Sequence, residues 1–298
     1  MAIKQPISVV IVTFNGIDHL PKLASSLAPE LDSDDEVVIF DNASTDGTPD
    51  WVRASWPTAR LVESKSNLLF AAGNNAATLH ANNDVLFYLN QDTEVTPGLL
   101  GRLRSLVTPA RAVTVAQSFP WSEEQVAPFM DWSGCLLWRK SDVTEEPTNT
   151  ISGGAFALHR STIELLGGVP FDSRIPHYCE DTNLGLRLSG AGVAIVAVVE
   201  PYVIHHSTPS KGSSWSDFVR AIKIQRNLLL AFGYALGWKR TAMRLPALLA
   251  SGWRKADVDG NGNFVRRAGL SVATVVGFLR AIADRPTPVE GWRDSLGS

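Results

Sequence analysis

Four apolar runs dominate the first third of the chain: ISVVIVTF (Ile7 to Phe14), EVVIFDN (Glu36 to Asn42), ARLVES (Ala59 to Ser64) and DVLFYLN (Asp84 to Asn90). They lack polar alternation, and helix-length stretches separate them: Asn15 to Ala28, Thr48 to Ser55 and Phe70 to Ala81. Uninterrupted runs of this kind are strands buried on both faces, which predicts parallel strands under helices in a doubly wound α/β sheet. The second helix has a readable start. Thr48 can cap it and Pro49 takes the first helical position, where a missing N–H costs nothing.

After Pro120, from Trp121 to Thr150, the pattern dissolves into an expected mixed loop carrying Pro128, Pro147 and several Trp. A strand ISGGAFALH (Ile151 to His159), a short helix near Ser161 to Leu166, a helix from Asp181 to Ser189 and a strand VAIVAVV (Val193 to Val199) follow. Trp215 to Leu236 reads as one amphipathic helix. Beyond Trp238 the pattern is helical but loose, with a turn at Asp257 to Asn263. Ala268 to Ala283 is apolar but broken by Arg280, and it falls short of the about 20 residues a spanning helix needs. It reads as a core helix, with a membrane-surface helix as the alternative.

Composition narrows the class. With 298 residues, 45% hydrophobic and 19% charged, the chain can bury one large core or two joined half-domains. A net charge of −3, no Lys/Arg block and no zinc-type Cys/His spacing argue against nucleic acid as a partner. Cys135 and Cys179 make no disulfide framework, and the N-terminus enters a strand at once without a signal-peptide layout, so a cytoplasmic protein is expected.

Ligands of an open parallel sheet bind beyond the carboxyl ends of its strands. Those ends carry Thr13-Phe14-Asn15-Gly16, Asp41-Asn42, Glu63-Ser64 and Asn90-Gln91-Asp92. A lone Asp after a strand is usually a turn residue, but Asp41 and Asp92 would face one side of the sheet together. Neither a dinucleotide-type glycine fingerprint nor a Walker loop follows the first strand. A nucleotide would therefore depend on carboxylates and a hard cation, Mg2+ or Mn2+, which binds few carboxylate oxygens and completes its shell with phosphate. Glu180-Asp181 opens a helix, where the pair is either an N-terminal anion or a general base. His205 and His206 follow the strand-like PYVIH, and Arg226-Asn227 could reach phosphate or acceptor.

The segments VVIVTFNG, VVIFDNASTDGT, ESKSNLLFAAGNNAA, LFYLNQDTEVTPG, GGAFALHRSTIELLGG and EDTNLGLRLSGAGVAIV resemble, in order and spacing, the GT-A glycosyltransferases of family 2, notably bacterial rhamnosyltransferase-like members. The resemblance covers roughly Ile7 to His206. It implies a GT-A fold, a Rossmann-like mostly parallel sheet flanked by helices. Residues 1–110 would form a nucleotide-sugar half, 111–214 an acceptor and catalytic half of the same domain, and 215–298 a helical C-terminal extension. Thr13 and Asn15 would lie against the nucleotide, and Asp41 would bond the base. Asn90 and Asp92 occupy the D-x-D position, Asp92 as metal ligand with His205 nearby. Asn67 to Asn74 would underlie nucleotide and sugar, with Leu69 where glycine is usual. Gly154, Ala155 and Phe156 would wall the transferred sugar. Asp181 would be the catalytic base, supported by Glu180.

The implied activity is inverting transfer from a UDP- or dTDP-linked sugar to an acceptor hydroxyl, with Mg2+ or Mn2+. The acceptor could be a saccharide, a lipid-linked oligosaccharide or a small molecule. Two alternatives stand beside it: sugar-phosphate nucleotidyl transfer, and a non-catalytic nucleotide-sugar-binding protein. Three roles remain open for the tail after Trp215, namely peripheral contact with the inner face of a membrane, pairing of two chains, or completion of the acceptor site.

Overall fold

The computed structural model describes residues 5–120, 122–131, 136–206, 215–244, 246–247 and 264–283. Trp121, Trp132, Cys135 and the turn at Asp257 to Asn263 lie outside them. The first half is the expected α/β alternation. Strands β1 (Ile7–Thr13), β2 (Glu36–Asp41), β3 (Arg60–Glu63) and β4 (Val85–Asn90) stand in the order β3-β2-β1-β4, all parallel. Helices α1 (Leu20–Leu27), α2 (Thr48–Ser55) and α3 (Leu69–Thr78) connect them. Along β1, Val9 and Ile11 enter one apolar layer and Val10 the other, so both faces of the sheet are covered.

After β5 (Thr93–Val95) and α4 (Leu99–Leu106) the topology changes. The order continues β4-β10-β6-β11-β5, with β6 (Arg111–Phe119), β10 (Ala155–His159) and β11 (Ala194–His205). Strand β10 runs antiparallel to both β4 and β6, whereas β11 is parallel to β6. Helices α5 (Arg160–Leu165) and α6 (Glu180–Gly190) lie between β10 and β11 in sequence.

The expected loop over Trp121 to Thr150 is corrected by the structure. It contains β7 (Ser122–Met130), β8 (Leu136–Lys140) and β9 (Glu145–Thr148), all paired antiparallel. Proline masked them, because a residue without N–H normally marks a break in a ladder. Here Pro128 lies past Val126, the last β7 residue with a β6 partner toward Met130, and Pro147 sits on edge strand β9, which pairs only β11. The expected strand Ile151 to His159 is likewise shorter, since residues 151–154 form the approach to β10.

Helices α7 (Trp215–Leu236), α8 (Trp238–Met243) and α9 (Phe264–Ala283) complete the described chain. Helix α9 lies against α7 so closely that a Cβ on Gly277 would come within 2.7 Å of the Ile222 carbonyl oxygen. Only glycine fits there. Phe278 and Ala281 are buried with Leu228 to Phe232 of α7 in a separate apolar cluster. The core-helix expectation holds for that face alone. Among the described residues, no helix is long and apolar enough to cross a membrane.

Candidate active site

Parallel pairing brings the carboxyl ends of β1, β2 and β4 side by side, with Thr13 opposite Asp41 and Val12 opposite Asn90. The Thr13 hydroxyl is buried and donates to Gln91 Oε1 at 2.6 Å, and the Phe14 amide donates to the same oxygen at 2.9 Å. Thr13 and Gln91 thus tie two strand ends together. Asn15, in the left-handed region (φ 49°), accepts the Thr45 amide at 2.9 Å. Asp41 Oδ2 accepts the Ser44 amide at 2.9 Å, while Oδ1 is buried with no partner. An orphaned buried acceptor costs about 1–3 kcal/mol, and a base-edge N–H would satisfy it.

The segment Asn67 to Asn74 closes over these ends. Asn42 Oδ1 accepts the Leu68 amide at 2.7 Å, and Asn67 Oδ1 accepts the Leu69 amide at 2.8 Å. Leu69 adopts φ 65°, which explains why glycine suits this position: a Cβ there crowds the backbone. Asn74 is buried within α3 and donates to the Phe70 carbonyl at 3.0 Å. Ala155 is also buried, in the apolar layer that contains Leu89, so its side chain belongs to the core.

Strand β11 brings a histidine from late in the chain to Asp92. His205 pairs with Thr93 in β5, and its Nε2 lies 3.2 Å from Asp92 Oδ1. On its other side, His205 Nδ1 is 2.7 Å from Gln117 Oε1, whose amide nitrogen donates to Ser152 Oγ at 2.6 Å. With Gln117 Oε1 as acceptor, Nδ1 carries the hydrogen. Between Nε2 and the Asp92 carboxylate, at this distance, there must then be a proton or a cation.

Burial raises the Asp92 pKa, but the hydrogen bond and charge of His205 outweigh it and hold the carboxyl below the ordinary range. One carboxylate and one imidazole suit a divalent cation whose shell is completed by phosphate and water. Among the described residues, no cluster of three or more His, Cys, Asp or Glu could hold a metal by itself. His206 turns elsewhere, to Glu94 Oε1 at 2.5 Å.

Gly154 and Gly153 connect this pair to the second carboxylate. A Cβ on Gly154 would fall 2.6 Å from Gln117 Nε2, so the backbone passes the Gln117–His205 contact with no room for a side chain. The Gly153 amide donates to Asp181 Oδ2 at 3.2 Å, and Asp181 Oδ1 accepts the Thr182 amide at 2.7 Å. Asp181 is half-buried at the start of α6. Glu180 beside it is buried, and its Oε2 has no partner. Burial raises both carboxyls, Glu180 further because the Asp181 charge lies next to it.

Two consecutive left-handed residues, Tyr178 (φ 69°) and Cys179 (φ 65°), precede that pair. Asn227 on α7 holds the turn, its amide donating to the carbonyls of His177 at 2.8 Å and Tyr178 at 3.3 Å. Arg226 in turn donates to Asn227 Oδ1 at 2.8 Å. The turn is thus clamped by residues expected to reach phosphate or acceptor. Cys179 donates to the Ile224 carbonyl. Trp138 packs edge-on against Phe119, which stacks on His205, so this tryptophan backs the ring that holds the histidine.

Of the residues singled out by sequence, the structure gathers Asp41, Asn90, Asp92, Gly154 and His205 around the strand ends, with Asp181 joined to them through Gly153. Asn15, Asn67, Asn74 and Ala155 have local or core roles. Gln117 and Ser152 were missed. The readable signal was a glutamine inside the otherwise apolar β6 run AVTVAQSF, because a buried amide needs a partner.

A mixed sheet with carboxylates at its strand ends, and an acidic helix start joined to them through Gly153, is the arrangement of a GT-A glycosyltransferase. Solved structures share the fold at low identity. GalNAc-T7 with UDP, GalNAc and Mn2+ superposes at TM-score 0.63 with 15% identity over 95% of this chain, which spans 57% of that one. The mannosyltransferase PcManGT from Pyrobaculum calidifontis, with GDP-Man and Mn2+, gives 0.58 at 17% identity over 95% of this chain and 89% of its own.

Residues 8–166 match the glycosyl transferase family 2 model, and the chain belongs to that family. It is similar to the N-acetylglucosaminyl-diphospho-decaprenol L-rhamnosyltransferase of Mycobacterium tuberculosis, at 25% identity over 79% of this chain and 87% of the relative. It is also similar to the O-antigen biosynthesis protein RfbC of Myxococcus xanthus, at 29% identity over 59% of this chain but 15% of that longer protein.

Proposed function

We propose that this glycosyltransferase moves a deoxyhexosyl group, of the L-rhamnose type, from a dTDP- or UDP-linked donor to a hydroxyl of a lipid-linked saccharide, with inversion at the anomeric carbon. One observation carries the reading: Asp181, a half-buried carboxylate with a raised pKa, accepts the Gly153 amide, and the next residue, Gly154, passes directly beside Gln117 and His205, the partner of Asp92. The similarity to a rhamnosyltransferase acting on a diphospho-decaprenol sugar supports the choice of donor and acceptor.

In this mechanism the free Asp41 Oδ1 accepts an N–H of the pyrimidine, and Asn90 reaches a ribose hydroxyl. Asp92 and His205 would hold a divalent cation under the diphosphate, and that ion, when bound, offsets charge on the leaving group. Asp181 takes the acceptor hydroxyl proton as the oxygen attacks the anomeric carbon, and the bond from that carbon to the diphosphate breaks on the opposite face. General-base assistance of this kind is worth roughly 10²–10⁴-fold. Beside it Glu180 is buried, and burial together with the Asp181 charge disfavours a second negative charge there.

The test is thermal unfolding against dTDP, UDP, GDP and their sugars, with and without Mn2+, on wild type and Asp92→Ala. A ligand at a hundred times its Kd adds about 2.7 kcal/mol of stability. A Mn2+-dependent shift with a pyrimidine nucleotide that Asp92→Ala abolishes supports the reading. Stabilisation by GDP alone, or by none of them, overturns it.

A further inference from the structure

Among its described side chains, helix α9 buries one side. Along its opposite side Val272, Val275, Leu279 and Ile282 are 54%, 50%, 62% and 65% exposed. Their spacing of three and four residues sets them in one stripe along the helix. Arg280 lies exposed among them. Helix α8, which also packs on α7, exposes Trp238 and Met243 together with Lys239, Arg240 and Arg244.

The charge of the chain divides at the same place. Residues 211–298 contain 14 Lys/Arg against 6 Asp/Glu, whereas residues 1–210 contain 13 against 24. From Phe218 to Ala256 there are 8 basic residues and not one acidic residue, and α9 has Arg but no Asp or Glu. The overall net charge of −3 hides this asymmetry.

From the exposed apolar stripe together with this positive field, we infer that α8 and α9 form a docking surface for an anionic lipid bilayer, with the α9 stripe at the level of the acyl boundary and the basic residues among the headgroups. An exposed apolar stripe in a part of the chain rich in basic and poor in acidic residues is what an interfacial helix requires. A second copy of the chain is the rival occupant, but a two-fold contact would set one cationic face against another. The inference rests on the lipid-linked acceptor proposed above only for its purpose. Docking here would hold the transferase at the surface in which such an acceptor is anchored.

The experiment is sedimentation of the full chain with vesicles of phosphatidylcholine alone and of phosphatidylcholine mixed with phosphatidylglycerol, at low and high salt. Binding to the anionic vesicles only, weakened by salt, is expected. Lys239→Gln with Arg240→Gln should weaken it by about fivefold per residue, and Val275→Ser with Leu279→Ser should abolish it. Both pairs are exposed, and an unchanged melting temperature confirms that the fold is intact. Absence of binding, equal binding to both vesicle types, or a dimer in solution that Leu279→Ser dissolves would overturn the inference. The assay involves no sugar transfer, so its failure leaves the proposed activity untouched.

Discussion

Gln117 supports His205 from behind: its Oε1 lies 2.7 Å from the imidazole Nδ1, and its amide nitrogen is anchored on Ser152 Oγ at 2.6 Å. The contact fixes both the orientation of the ring and which nitrogen faces Asp92. Removing a partner of this kind typically costs 10–100-fold in metal affinity. Gln117→Leu should weaken Mn2+ binding in the presence of a nucleotide by about that factor, measured by calorimetry, and Gln117→Glu should restore much of it. Unchanged affinity in Gln117→Leu would show that His205 needs no such support.

Asp181→Asn should retain donor binding while kcat falls by roughly 10²–10⁴-fold. The wild-type pH profile gives a second check. A base works only when deprotonated, and burial raises the Asp181 pKa. The acidic limb of kcat should therefore lie above the ordinary aspartate value of about 4. A limb at or below that value would remove Asp181 from the role.

Glu180 contributes to stability with a definite sign. A carboxyl whose folded pKa is raised stabilises the fold fully below its unfolded value, about 4.3, and loses that contribution as pH rises through the folded value. Burial and the Asp181 charge raise Glu180 well above the ordinary range. Wild type should lose stability as pH rises above the unfolded value and on through the raised folded one, and Glu180→Gln should flatten that slope in thermal melts. Parallel curves for the two proteins would contradict the assignment.

Asn227→Ala removes both hydrogen bonds that hold the carbonyls of the left-handed turn before Glu180. The expected cost is about 1–3 kcal/mol, seen in denaturant unfolding, with kcat falling more than donor affinity because Asp181 is displaced rather than the nucleotide ends of the strands. Equal loss in both kinetic constants would argue for a direct role in donor binding.

Leu69 tests the backbone. At φ 65° a β-branched side chain is less tolerable still, so Leu69→Val should destabilise by about 1–2 kcal/mol. Leu69→Gly should stay within about 1 kcal/mol of wild type, because relief of strain offsets the greater freedom of the unfolded chain. Equal melting temperatures for the Val and Gly variants would mean the strain is negligible.

The parallel half of the fold was legible because β1, β2 and β4 are apolar on both faces and helix-length stretches separate them; the expected cap at Thr48 is not made, since Thr48 is already the first residue of α2 and Gly47, with φ 88°, is its N-cap. Residues 122–148 were not, since their strands alternate, carry proline and pair at the periphery. The insertion of β10 antiparallel between β4 and β6 is a matter of long-range pairing, to which local pattern is blind. Asp41, Asp92 and Asp181 stood out as carboxylates at element ends. Gln117 reads as one more residue of a buried strand until its partners are known, and Asn227 reads as a contact for phosphate or acceptor until α7 is placed against the turn.

The register of β11 against β5, with His205 beside Thr93, has a consequence for biosynthesis. A slip by one residue would turn the histidine to the opposite face of the sheet. A nascent chain therefore carries Asp92 early but gains the second arm of the pair only when a much later strand docks in frame. The Asp92–His205 contact thus forms only in the native register of the sheet.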